Sequence, residues 1–138
     1  VTTIFVAIVA ALTLAAGAGL LLSRRAGDTR ATEDGRGNRV DLGELGLPSH
    51  GPTVVHFSAA WCAPCEQVRR VVTQVCGDLG GVAHIEVDLD SNPVAAQRLS
   101  VLSLPTTVIF DADGRQRYRS AGVPRADDLR SALAAMLA

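Results

Sequence analysis

The stretch His56-Phe57-Ser58-Ala59-Ala60-Trp61-Cys62-Ala63-Pro64-Cys65 decides how this chain is read. It begins in a β-rich run, Thr53 to Ser58, in which β-branched residues and Phe dominate; such a run predicts a buried strand. It ends where a helical run, Glu66 to Val75, begins. Val68, Val71, Val72 and Val75 recur there at helical spacing, with Gln67, Arg69, Arg70 and Gln74 between them. Two thiols therefore sit where a strand hands over to a helix. The positive end of a helix dipole favours the thiolate, the form that attacks disulfides. Pro64 suits a helix start, because its missing N–H would be unpaired there anyway.

Outward from this point the elements follow in order. Val82 to Leu89 alternates as a second strand, and Asn92-Pro93 opens a short helix through Leu99. Thr106 to Phe110 is a third strand. Asp113-Gly114 signals a hairpin turn, Gln116 to Ser120 a fourth strand, and Arg125 to Leu137 a closing amphipathic helix. Gly77 and Gly80-Gly81 are expected to end the first helix. Val40 to Leu47 is short, an edge strand or one helical turn.

With Trp61 before the cysteine pair, the chain resembles the thioredoxin family over about Val40 to Ala138. The matching residues are Trp61, Cys62, Ala63, Pro64 and Cys65; Asp90 to Pro93; Leu104-Pro105-Thr106; and Gly122. The resemblance implies a thioredoxin-like α/β fold, a central mixed sheet flanked by helices. It implies thiol–disulfide exchange, with Cys62 as nucleophile and Cys65 as the resolving thiol that releases the reduced substrate. It also implies a cis bond before Pro105, facing the cysteines, and a substrate strand paired to the backbone of Leu104. Trp61, Ala63, Pro64, Leu104, Pro105 and Gly122 are the expected substrate-binding residues. The redox group is the cysteine pair itself, with no added cofactor. The partners are disulfide-containing proteins and an external electron donor such as a reductase. The interval from Asp90 to Pro105 has no room for the insertion typical of the cytochrome-maturation branch, which favours a general reductase.

Two positions depart from the family. Thioredoxins usually carry a buried Asp where this chain has His56, and often a Lys where it has Glu86. The charge order is reversed. His56 is expected to hydrogen-bond Glu86 behind the cysteines and to accept the Cys65 proton; a buried neutral His on a backbone carbonyl is the competing expectation. Ser58 stands where an aromatic residue is common, which predicts a smaller, more polar surface beside the site. Trp61 either contacts substrates or caps the core. Cys76 reads as a buried small apolar residue, and His50 and His84 as solvated or loop histidines.

Composition narrows the alternatives. Net charge is −1 over 138 residues, which gives no nucleic-acid footprint. All thirteen basic residues are Arg, so a lysine nucleophile is excluded. Three cysteines are too few for a disulfide scaffold. Cys62, Cys65, Cys76 and His84 form a rival zinc set of irregular spacing. A non-catalytic peptide-binding module is the other alternative.

The first residues read differently. Ile4 to Leu22 is apolar apart from Thr13; as a helix it would span roughly 28 Å, close to a bilayer core. Residues 1–23 are therefore expected to be a single-pass membrane anchor, 24–39 a flexible Gly/Arg/Asp/Glu-rich linker, and 40–138 the thioredoxin-like domain. Arg24, Arg25, Arg30, Arg36 and Arg39 follow the span, which leans the domain to the cytoplasm by the positive-inside rule, with an outward-facing domain as the alternative. Ala7, Ala11, Ala15 and Gly19 form a small-residue stripe that would allow a weak homodimer through this helix.

Overall fold

The computed structural model describes residues 6, 8–11, 13–17, 30–31 and 50–138. Its strands are β1 (Arg30–Ala31), β2 (Thr53–Ser58), β3 (Ala83–Asp88), β4 (Thr106–Phe110) and β5 (Gln116–Ala121). Its helices after residue 50 are α1 (Cys65–Leu79), α2 (Pro93–Arg98) and α3 (Ala126–Leu137). The sheet order is β1-β5-β4-β2-β3. β2 and β3 are parallel, so the chain must cross between them, and α1 makes that crossing. β4 runs antiparallel to β2, and β5 to β4. Arg30 and Ala31, inside the expected linker, pair with Arg119 and Tyr118 at the sheet edge.

β2 lies between β3 and β4, and all six of its residues are buried. A strand covered on both faces needs a continuous run of β-branched and aromatic residues, as Thr53 to Phe57 supplies. Successive side chains alternate between faces. Val54 joins Val68, Val72, Val75, Leu129 and Leu133 under α1 and α3. Val55 and Phe57 join Ala96, Leu99, Val108 and Phe110 on the α2 side. His56 thus shares the α1 face with Val54.

Helix α1 is longer at both ends than its apolar repeat predicts. It starts on Cys65 and passes through Gly77 to Leu79. Glycine inside a helix costs about 1 kcal/mol, but the buried Val75 and Cys76 anchor this last turn in the core. Termination falls to Gly80, whose φ of 65° is the left-handed region that glycine favours. The turn from Asp111 to Arg115 closes as expected. Asp111 N–H donates to the Arg115 carbonyl, and Gly114 takes a φ of 76°.

The expected membrane anchor is corrected. The described helical residues run from 6 to 17, about 18 Å at helical rise, against a hydrocarbon core of roughly 30 Å. Among the described residues no helix is long and apolar enough to cross a membrane. The single-pass placement, the orientation drawn from the arginines and the dimer through that helix lose their basis with it. Residues 4, 5, 7, 12 and 18–22 of the expected span lie outside the described residues, as do Val40 to Leu47.

Candidate functional site

The two cysteines close a 2.02 Å disulfide at the end of β2. A tight turn brings them together: Cys62 N–H donates to the Ala59 carbonyl, and Cys65 N–H to the Cys62 carbonyl. Cys65 is the first residue of α1, so Cys62 lies in the turn before the helix rather than within it. The disulfide therefore lies at the N-terminal, positive end of the α1 dipole. Cys62 is 8% exposed and Cys65 2%, so both residues of the oxidised pair are buried. Cys65 Sγ lies 3.9 Å from the Phe57 carbonyl oxygen.

Ala59 and the half-buried Leu104 pack on the disulfide. The Leu104–Pro105 bond is cis. Gly122 N–H donates to the Pro105 carbonyl at 2.9 Å, which ties the loop before β4 to the end of β5. Among the described residues, no turn or loop hydrogen bond uses the Leu104 backbone. Ala63 and Pro64 are exposed beside the disulfide. Trp61 is 67% exposed, so it does not cap the core; its Nε1–H donates to Asp90 Oδ2 at 3.1 Å.

Behind the disulfide a polar row crosses the α1 face of the sheet. Register places Glu86, His56 and Thr107 side by side on β3, β2 and β4. His56 is 0% exposed. Its Nε2 is 3.6 Å from Glu86 Oε1 and has no hydrogen-bond partner. The expected His56–Glu86 hydrogen bond is therefore corrected to an electrostatic contact. The carboxylate is already committed. Arg69 of α1 grips it bidentately, Nε to Oε2 at 2.7 Å and Nη2 to Oε1 at 2.6 Å, and Ser58 Oγ donates to Oε1 at 2.7 Å. Glu66 pairs with Arg69 from the other side. Ser58, expected to shape the docking surface, is instead buried and serves Glu86.

The partner His56 does have is His84. His56 Nδ1 lies 2.8 Å from His84 Nε2, with the rings stacked. His84 is thus a strand residue in contact with the site, not a solvated or loop histidine. His84, Arg69 and Thr107 were missed because each acts across elements. Strand register could have found His84 and Thr107, since His84 lies two residues before Glu86 and so on the same face of β3, but it gives no signal for Arg69 on α1.

These contacts set the ionisation. Burial first, then His84, hold the His56 pKa down at about 4, with Glu86 pulling the other way. Burial also lowers His84. The Arg69 hydrogen bond holds the Glu86 carboxyl at about 2. Burial raises the Cys76 thiol to about 11, in keeping with its place in the apolar core. Cys62, Cys65, Cys76 and His84 do not assemble as a metal set. Among the described residues no group of three or more His, Cys, Asp or Glu could hold an ion.

The folded His56 value near 4 lies below the ordinary 6.5, so the unfolded chain takes the proton first. Its contribution to stability is complete above 6.5 and is lost as pH falls toward 4. Urea unfolding is expected to show a loss of about 2 kcal/mol from pH 7 to pH 5. His56→Gln should flatten most of that slope; an undiminished slope in this variant would rule His56 out as its cause.

A cysteine pair closing a disulfide at the start of a helix, on a mixed sheet with a cis proline alongside, defines a thiol–disulfide oxidoreductase of the thioredoxin-like class. The comparisons agree. A family model described as Thioredoxin matches residues 44–135. The chain is 37% identical over 79 residues to thioredoxin of Chlamydia trachomatis, covering 57% of this chain and 76% of that one. It is 39% identical over 79 residues to thioredoxin of Mycolicibacterium smegmatis, covering 55% and 70%. Fasciola hepatica thioredoxin superposes with a TM-score of 0.60 at 32% identity, covering 70% of this chain and 91% of that one. The chain belongs to the thioredoxin family.

Proposed function

We propose that this chain reduces protein disulfides, with Cys62 as the attacking thiolate and Cys65 as the resolving thiol. The observation that carries the reading is the Cys62–Cys65 disulfide with Leu104 packed directly on it. Reduced, Cys62 attacks a substrate disulfide and expels the first substrate thiol. Cys65 then attacks Cys62, re-forms the disulfide and releases the second. Two electrons and two protons pass to the substrate per cycle, and an external dithiol donor, such as a reductase, restores the pair.

His56 accepts the Cys65 proton in this reading. Its support is a buried ring with one nitrogen unpartnered, one residue before the Phe57 carbonyl that Cys65 touches. Glu86 acts on His56 through charge. Trp61, Ala63 and Pro64 form the exposed rim of the substrate site. Leu104, Pro105 and Gly122 form its far wall, where the free Leu104 backbone pairs with an extended substrate segment. The functional unit is residues 40–138, which contains the whole family match at 44–135.

The test is reduction of insulin by dithiothreitol in the presence of the full chain. Catalytic amounts are expected to accelerate insulin precipitation about tenfold or more over dithiothreitol alone. No acceleration would return the chain to a peptide-binding module.

A further inference from the structure

The His56–His84 contact has a property that a lone buried base lacks. At 2.8 Å one nitrogen donates and the other accepts. With the shared proton on His56 Nδ1, His56 Nε2 is a bare acceptor. With it on His84 Nε2, a neutral His56 carries its proton on Nε2. His56 is fully buried, whereas His84 is only partly buried on β3, the edge strand. One ring is sealed in the core and the other lies at the incompletely covered edge of the sheet.

We propose that His84 is the outlet of a two-imidazole proton relay serving Cys65 through His56. This deepens the proposed function and rests on His56 as the proton acceptor. A proton leaving the Cys65 thiol arrives at His56 Nε2. The His56 Nδ1 proton passes to His84 Nε2, and the His84 Nδ1 proton leaves to solvent. Neither ring ends charged, and both change tautomer. The Cys65 thiolate then attacks Cys62: the Cys62–substrate bond breaks, the Cys62–Cys65 bond forms, and the departing substrate thiolate takes a proton from water. When the donor dithiol reopens the pair, the Cys65 sulfur leaves as thiolate and is protonated along the same path in reverse. That return step resets both tautomers, so each redox state has its own pair.

The surroundings favour transfer over storage. Burial and His84 leave His56 too weak a base to keep a thiol proton, so it serves only if the proton moves on. Glu86 on β3 stabilises a passing positive charge, while Arg69 on α1, itself paired with Glu66 and Glu86, opposes it. On β4 the neighbour is Thr107, which does not titrate.

The decisive variant is His84→Gln in the full chain. A Gln amide can hydrogen-bond His56 but cannot exchange tautomers, so a purely steric or orienting role survives it. In single turnover with a model disulfide, decay of the mixed disulfide is expected to slow about tenfold at pH 7, and added imidazole to restore part of the loss. An unchanged decay rate overturns the relay. The wild-type chain gives a second readout. Nitrogen NMR should find both rings protonated at Nε2 in the oxidised form and at Nδ1 in the reduced form; identical tautomers in both states overturn the proposal without any variant. If His56→Gln slows decay while His84→Gln does not, the relay falls and His56 remains the acceptor. If neither does, both fall, and insulin reduction still tests the cysteine pair separately.

Discussion

Cys62→Ser is expected to abolish insulin reduction, by roughly ten-thousand-fold or more, because a serine hydroxyl is a far weaker nucleophile and a far poorer leaving group. Cys65→Ala should fail differently. Cys62 still attacks, but no second thiol follows, so the chain accumulates as a mixed disulfide visible on a non-reducing gel. The two sulfurs sit in one turn, 5.5 Å apart at Cα, and neither substitution leaves a buried charge. Urea midpoints of the reduced variants should therefore stay close to that of the reduced wild type. Mixed disulfides forming on Cys65 in Cys62→Ser as fast as on Cys62 in Cys65→Ala would reverse the assignment of roles.

His56→Asp is the second large effect, and its sign is informative. It restores the acid common in the family, yet here it should destabilise the chain by roughly 3 kcal/mol at pH 7. The new carboxyl would be fully buried and would face Glu86, which Arg69 keeps ionised. Burial and like charge both raise an Asp pKa. The variant should therefore gain stability as pH falls through the raised value, opposite to the wild-type trend. Adding Glu86→Lys removes the like charge, and urea unfolding of the double variant should recover part of the loss. Additive losses would mean that positions 56 and 86 do not couple, contrary to their 3.6 Å approach.

These two results bear on different kinds of information. The cysteine pair is local. Trp61-Cys62-Ala63-Pro64-Cys65 occupies one turn, and its chemistry needs only a strand before it and a helix after it. The valines of β2 and α1 declare both at periods of 2 and 3.6. Pro105 lies over forty residues further on, and its place beside the cysteines was legible through family resemblance. The polar row behind the disulfide was half legible. Glu86 was placed beside His56 through the family resemblance, in which a Lys often stands there on the neighbouring strand. Its hydrogen bonds were not, because Arg69 reaches them from a helix whose exposed face looks ordinary in one dimension.

The apolar first residues show the opposite error. Composition from Ile4 to Leu22 satisfies a hydropathy rule, whereas crossing a membrane requires a continuous helix of sufficient length. The described helical residues, 6 to 17, do not reach it.

By itself the sequence determined the order of elements and the thiol pair at the strand–helix junction, because periodicity and motif spacing act over a few residues, and its resemblance to the family marked the reversed charges at 56 and 86. Only the tertiary structure decided which partners those charges take. Three elements converge on that row, and a side chain with several candidates within reach bonds the one that packing presents. For His56 that partner is His84, and for Glu86 it is Arg69.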